Sequence, residues 1–376
     1  MMNRTRIKRW KGRLQAMHGG ILSVIVLLCL LGLAMQYSAA GGEFRVFALK
    51  QSVSMLLGLG LMVGIAIMPT PLLMRSVYAY YVLCVVLLIA VEVMGIIGMG
   101  AQRWIGVGAF NIQPSELTKI AIILVLARYF HSAPMESARH YVLLVVPLLL
   151  TLVPVALILK QPNLGTATIV SFIAFSLCFM AGIRWQYFAV AIGSVAAAVP
   201  VVYHFLHDYQ KRRVQTFLNP DADPLGAGYN IIQSKIAIGS GGITGKGLLQ
   251  GSQGQLDFLP EKQTDFIFTM LAEELGFIGA FILLMLYAAL LSFALLLSVR
   301  CKHMFGRLVA AGVAAMLFVH IFINMAMVMG MIPVVGVPLP FLSYGGSFML
   351  ATLMACGLLM HVYLNRELAM PRRFGF

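Results

Sequence analysis

The amino-acid sequence predicts an all-α polytopic membrane protein, with about ten transmembrane helices and one long extracytoplasmic loop between helices 7 and 8. Three observations carry this. Hydrophobic residues make up 60% of the 376 positions and charged residues only 11%, well under the quarter or so expected of a soluble domain. Apolar runs of roughly 17 to 25 residues recur along the whole chain, each long enough to cross a bilayer. Gly and Pro lie between these runs, which suits helices, whose backbone groups are satisfied within each span, better than barrel strands.

Taken in order, a basic tail over residues 1–19 carries Arg4, Arg6, Lys8, Arg9, Lys11 and Arg13, and is expected to stay in the cytoplasm. No convincing small-residue cleavage site follows it, so the apolar run at about 20–36 reads as a first span rather than a signal peptide. The second span is expected at about 47–68, and the third at about 77–99, enclosing Glu92. A polar loop with Arg103 leads to a fourth span from Pro114. The fifth covers about 141–159, and a tight turn at Lys160, Gln161, Pro162 and Asn163 opens the sixth. The seventh runs to Phe205. The segment 206–264 then lacks an apolar run long enough to span and forms the large extracytoplasmic loop. The eighth span is expected at about 265–299, long enough to tilt or project. The ninth and tenth fall at about 308–331 and 348–364, and residues 365–376 form a cytoplasmic tail. One membrane domain, residues 1–376, accounts for the chain.

The formal net charge of +14 is not one basic face. Much of it flanks apolar runs, as the positive-inside rule requires, so no nucleic-acid partner is expected and membrane lipids are. The five cysteines include no CxxC pair and none lies in the long loop, so neither a disulfide framework nor a thiolate metal site is suggested. No inverted repeat of the transporter kind is visible.

Several residues carry chemistry. Thr264 and Asp265 stand where the polar loop meets the eighth apolar run. They read either as a helix cap or, for Asp265, as a general base at the outer membrane surface. Glu273 and Glu274 lie deeper on the same run, and intramembrane acids need a partner or a cavity. Glu116 and Lys119 are spaced to meet on one helix face as an internal ion pair. Glu92 has Arg103 as its nearest expected cation. Arg103, Lys160, Lys211, Arg212, Arg213, Lys235, Lys246 and Lys262 all fall outside. Singly they read as solvated charges; together they could hold a pyrophosphate head group. The stretch Gly239 to Gly247 lacks P-loop spacing, because Gly247 follows Lys246, and reads as a flexible Gly-rich surface loop.

The ordered motifs resemble the SEDS family (shape, elongation, division and sporulation). They are Gln102-Arg103-Trp104, Gln113-Pro114-Ser115-Glu116 with Lys119, and Gln161-Pro162-Asn163-Leu164-Gly165-Thr166. Asp223 to Tyr229, Gln233 to Gly239, Leu259 to Phe268, Glu273 to Gly276 and Pro338 to Ser347 complete the set. The Gln-Ser-Lys and Pro-Leu-Pro-Phe forms look like the elongation branch. The resemblance implies a ten-helix, inner-membrane glycosyltransferase that polymerises lipid II into peptidoglycan. It implies a class B penicillin-binding protein, a transpeptidase, as partner. It places the catalytic carboxylate at Asp265, with Ser343 and Tyr344 among the supporting polar groups. The family usually has Asp where this chain has Asn163; Asn keeps hydrogen bonding and loses the charge.

On this reading a sugar hydroxyl attacks a polyprenyl-pyrophosphate-linked sugar, and Asp265 takes its proton. The leaving pyrophosphate needs charge neutralisation, from Arg103, Lys160, Arg212, Lys235, Lys246 and Lys262 or from a divalent cation such as Mg or Mn. Two other readings compete. A lipid II flippase would use Glu92, Glu116, Lys119, Glu273 and Glu274 as a polar path. A scaffold for the transpeptidase would need no single carboxylate.

Overall fold

The computed structural model describes residues 17–98, 101–107, 110–133, 142–205, 211, 227–256, 258–259, 261–368 and 370. The basic cluster between Arg4 and Arg13 lies outside these residues, as do Arg212 and Arg213. The helices follow the apolar runs: α1 Gly19–Ala39, α2 Ala48–Ile67, α3 Thr70–Met94, α4 Pro114–Ser132, α5 Val142–Lys160, α6 Leu164–Met180 and α7 Trp185–Phe205. After the long loop come α8 Ala227–Ser240, the single turn α9 Ser252–Gln255, α10 Ile267–Arg300, α11 Met304–Val328 and α12 Gly346–Asn365. Among the described residues six of them, α1, α2, α3, α10, α11 and α12, are long and apolar enough to cross a membrane. Apolar side chains such as Leu56, Leu83, Val93 and Phe281 stand exposed on their outer faces, as lipid contact requires.

Helix association in lipid rests on close packing rather than on expulsion of water, so small residues mark the tight crossings. An added Cβ on Gly58 of α2 would run into Leu353 of α12, and one on Gly32 of α1 into the Phe341 carbonyl. The most enclosed helices are α4, α11 and α12, most of whose residues are buried.

Three features differ from the sequence expectation. The fold is not purely helical. The loop after α3 forms a small antiparallel meander, β1 Ile96–Gly98, β2 Ala101–Val107 and β3 Phe110–Ile112. Trp104, Ile105 and Val107 favour extended backbone, and Ile105 pairs with Ile112. The third helix begins at Thr70 rather than near 77, since Pro71 sits in its first turn, where a missing N–H costs nothing. And the long helix α10 is broken. Gly276 adopts φ 64°, ψ −161° inside it, a conformation essentially reserved for glycine.

The break is closed by the Gly-rich stretch expected to be a flexible surface loop. Phe277 and Ile278 N–H donate to the Gly242 and Ile243 carbonyls, at 2.9 and 3.1 Å. Lys246 and Gly247 N–H donate to the Glu273 and Glu274 carbonyls, at 3.1 and 3.0 Å. Four backbone groups released by the broken helix thus find partners, which is the condition for irregular backbone within a membrane protein. Glycine is required because the chains touch: a Cβ on Gly245 would collide with the Glu274 carbonyl, and one on Gly276 with the Gly245 nitrogen.

Helix α1 connects the two ends of the bundle, which at 1.5 Å per residue are roughly 30 Å apart. At its start, His18 packs on Phe293 and Tyr363, and Lys302 N–H donates to the Arg366 carbonyl. The beginning of α1, the end of α10 and the end of α12 therefore meet. At its other end Gln36 and Ser38 reach the segment that carries Asp265 and the first half of α10.

Candidate active site

Asp265 lies in a turn just ahead of α10. Its N–H and that of Thr264 both donate to the Glu261 carbonyl, and Glu261 takes a positive φ of 56°. The helix cap is Phe266, with no side-chain capping bond. The expected capping role of Thr264 and Asp265 is therefore corrected: Thr264 Oγ1 turns back to the Glu261 carbonyl and carboxylate, at 3.2 and 3.1 Å. The turn closes before the helix starts, and Thr264 Oγ1 is spent within the turn.

The backbone of this turn is fixed from three sides. Asn324 Nδ2 on α11 donates to the Asp265 carbonyl at 3.0 Å and to Val337 at 2.7 Å. Ser343 Oγ donates to the Thr264 carbonyl at 2.6 Å while accepting from Leu339 N–H. Gln36 Nε2 donates to Gln263 and Leu342, and Tyr344 N–H to Gln263. Gln51 ties the far end of the same loop, through the Ser343 carbonyl and Gly345 N–H. The Asp265 side chain is half-buried, and a Cβ on Gly336 would stand 3.2 Å from its Oδ2. Tyr344 packs on Phe47, and burial raises its phenol above 10.

On the other side of that loop is the start of α6. A Cβ on Gly165 would stand 3.2 Å from the Val335 carbonyl. Residues 335–336 are thus wedged between the Asn163 turn and the Asp265 carboxylate. Asn163 caps α6, accepting from Thr166 N–H at 3.2 Å. Arg103, carried by β2, donates to the Gln161 and Pro162 carbonyls of the same turn. Its expected pairing with Glu92 is corrected: Glu92 instead meets Lys160, at 2.8 Å. That pair is exposed on the Lys160 side, so it is worth at most about 1 kcal/mol and is readily exchanged.

The remaining cations divide. Lys235 is exposed on α8 beside Gly330. Lys262 donates to the Gly254 carbonyl at 2.8 Å. Lys246 is engaged within the protein: it pairs at 2.7 Å with Glu273, whose side chain is fully buried. Glu273 also accepts from Ser252 Oγ and from Gln253 and Gly254 N–H. Leaving that buried carboxylate unpaired would be costly, so Lys246 belongs to the clasp. Glu274 accepts from Ser38. Lys119 meets Glu116 at 2.6 Å and His320 Nε2 at 2.8 Å, deep between α4 and α11. Arg212 lies outside the described residues.

Among the described residues no group of three or more His, Cys, Asp or Glu could hold a metal ion. A dedicated protein cage for a divalent cation does not fit the donor set of the described residues. The supporting residues Gln36, Gln51, Asn324 and His320 were not singled out by sequence. Their one signal was a polar side chain within an apolar run.

Residues 14–368 match the family profile of FtsW, RodA and SpoVE, described as cell cycle protein. The chain is 42% identical over 351 residues to the peptidoglycan glycosyltransferase MrdB of Escherichia coli (strain K12), covering 93% of this chain and 94% of the relative. It is 37% identical over 354 residues to stage V sporulation protein E of Bacillus subtilis (strain 168), covering 91% and 96%. Among solved structures, a chain of a peptidoglycan synthase complex that coordinates polymerisation and crosslinking superposes with TM-score 0.81 at 36% identity, covering 93% of this chain and 98% of that one. The rod shape determining protein RodA of Thermus thermophilus superposes at 0.71 and 30% identity, covering 94% and 98%.

Proposed function

The chain belongs to the FtsW, RodA and SpoVE family of cell cycle proteins, and from that premise we propose how it works as a peptidoglycan glycosyltransferase in cell-shape maintenance. The observation that carries the mechanism is Asp265, a half-buried carboxylate on a turn fixed by Asn324, Ser343 and Gln36. A general base must be held in place before substrate arrives, and this turn is held at its backbone.

The substrate is lipid II. The hydroxyl oxygen of one lipid-linked sugar attacks the anomeric carbon of another, and its proton passes to an Asp265 carboxylate oxygen. The bond from that carbon to the pyrophosphate oxygen breaks, and the leaving polyprenyl pyrophosphate keeps the electron pair. One in-line displacement inverts the anomeric centre and needs one essential carboxylate. Arg103 and Lys160, flanking the Asn163 turn, are placed to neutralise the developing charge, with Lys235 and Lys262 on the loop side. Asn163, being neutral and engaged as a cap, acts by positioning.

Ten helices cross the membrane in this reading, with both tails cytoplasmic and Asp265 at the outer face. The partner is a class B penicillin-binding protein, a proposal supported by the similarity to a chain of a synthase complex. The deeper acids support an enzyme over a flippase: Glu116, Glu273 and Glu274 are each engaged with a side chain of a neighbouring turn, helix or loop. The test is purified protein with fluorescent lipid II. Glycan ladders are expected; lipid transport across vesicles without polymer would overturn the reading.

A further inference from the structure

At the end of the bundle far from Asp265, the helices line a half-open cavity of about 240 Å³. One wall is a single face of α10, with Phe293, Leu296, Leu297 and Arg300 at the spacing of one helical stripe. The opposite wall is Tyr363 and Arg366 of the α12 terminus, with His18 at the entrance of α1.

The cavity is divided by chemistry. Phe293, Leu296 and Leu297 give it an apolar floor that continues down a helix of membrane-spanning length. Its rim is cationic. Arg300 is exposed and makes no hydrogen bond or ion pair among the described residues. Arg366 lies over the Tyr363 ring, 4.2 Å from its centroid, which holds the guanidinium plane in place. Among the described residues its one acidic neighbour, Glu367, is 3.7 Å away and already paired with Lys302 at 2.6 Å. The basic tail ending at Arg13 precedes His18 in sequence, and Arg372 and Arg373 follow Arg366.

We propose that this cavity binds an anionic phospholipid, its phosphate held by Arg300 and Arg366 and one acyl chain lying along Phe293 and Leu296. A soluble anion has no use for the apolar floor, and a zwitterionic lipid gains little from two guanidinium groups. Fork-shaped guanidinium groups match phosphate oxygens, and basic pockets between membrane helices at the head-group level select anionic lipids. Assignment to the cytoplasmic leaflet rests on the orientation proposed above; the site itself does not.

The test uses purified full-length protein in detergent, titrated with phosphatidylglycerol, phosphatidylcholine or inorganic phosphate, with bound lipid counted by native mass spectrometry. Retention of phosphatidylglycerol over phosphatidylcholine is expected. Arg300→Gln should weaken phosphatidylglycerol binding about fivefold, the effect of roughly 1 kcal/mol per interfacial cation, and Arg300→Lys should restore most of it. The lipid-free melting temperature of both variants should match the parent, because Arg300 touches no polar partner. Equal retention of the two lipids, an unchanged affinity in Arg300→Gln, or full competition by inorganic phosphate at equal concentration would each overturn the proposal. Polymerisation is scored separately: protein that retains phosphatidylglycerol but makes no glycan refutes the enzymatic reading and leaves this site standing.

Discussion

At Asp265 the backbone and the side chain have separate duties. The carbonyl takes the Asn324 bond, and the N–H closes the turn onto Glu261. Asp265→Asn keeps both and removes only the basic oxygen. The variant should fold, insert and melt like the parent, while polymerisation of lipid II falls about a hundredfold to ten-thousandfold, the usual loss for a general base. Near-normal glycan synthesis by that variant would remove Asp265 from the mechanism. A second residue reports on the opposite end of the molecule. His303 caps α11, its Nδ1 accepting from Gly306 N–H at 2.9 Å. Burial, reinforced by His131 nearby, pushes its imidazole from 6.5 down to about 4. Between those values the unfolded chain holds the extra proton, so this contribution to stability is complete above pH 6.5 and is lost as pH falls toward 4. Thermal melts in detergent across that range should show the loss. His303→Asn, which still caps, should flatten it; an identical pH slope in both proteins would rule out His303 as its source.

Among the elements, the broken helix α10 and its clasp set the geometry of the site. Gly276 holds a backbone conformation that costs other residues about 1–3 kcal/mol, and any Cβ there also meets the Gly245 nitrogen. Gly276→Ala should therefore lower folded yield and melting temperature, with polymerisation falling in step because the first half of α10 follows directly on Asp265. A variant as stable as the parent would show that the clasp is not needed. This element also marks the limit of reading from sequence. The apolar runs were legible because crossing a bilayer demands about twenty such residues in a row, and each predicted run carries a helix. The break was not, since glycine is common in membrane helices and its partners lie some thirty positions upstream, in a stretch whose glycines suggested only flexibility. The meander was missed because three-residue strands carry no usable alternation. Within the proposed site, Asp265 was singled out by its place between loop and apolar run and by its motif. Its supports were not: Asn324 is 59 positions away and Gln36 is 227 from the carbonyl it binds, and neither distance leaves a local pattern.

For the whole molecule the decisive question is which way it faces. The structure gathers the start of α1, the end of α10 and the end of α12 at one end, with Arg300, Lys302 and Arg366 there. Asp265, Ser343 and the Glu273–Lys246 clasp sit near the other end of α1. Short basic segments beside membrane helices stay in the cytoplasm, so in the orientation proposed above the Asp265 end faces outward. Two single cysteines test this. Leu256, 64% exposed, lies in the loop below Asp265, and Leu368, 49% exposed, lies just past α12. The native cysteines Cys29, Cys84, Cys301 and Cys356 are buried and Cys178 is half-buried, so background labelling should be low. In cells with a permeabilised outer envelope, a membrane-impermeant thiol reagent should label Leu256→Cys at once and Leu368→Cys only after the inner membrane is lysed. The reverse pattern would turn the molecule over. It would place Asp265 in the cytoplasm and the basic cavity outside, and both the polymerase mechanism and the leaflet assigned to the anionic lipid would fail together.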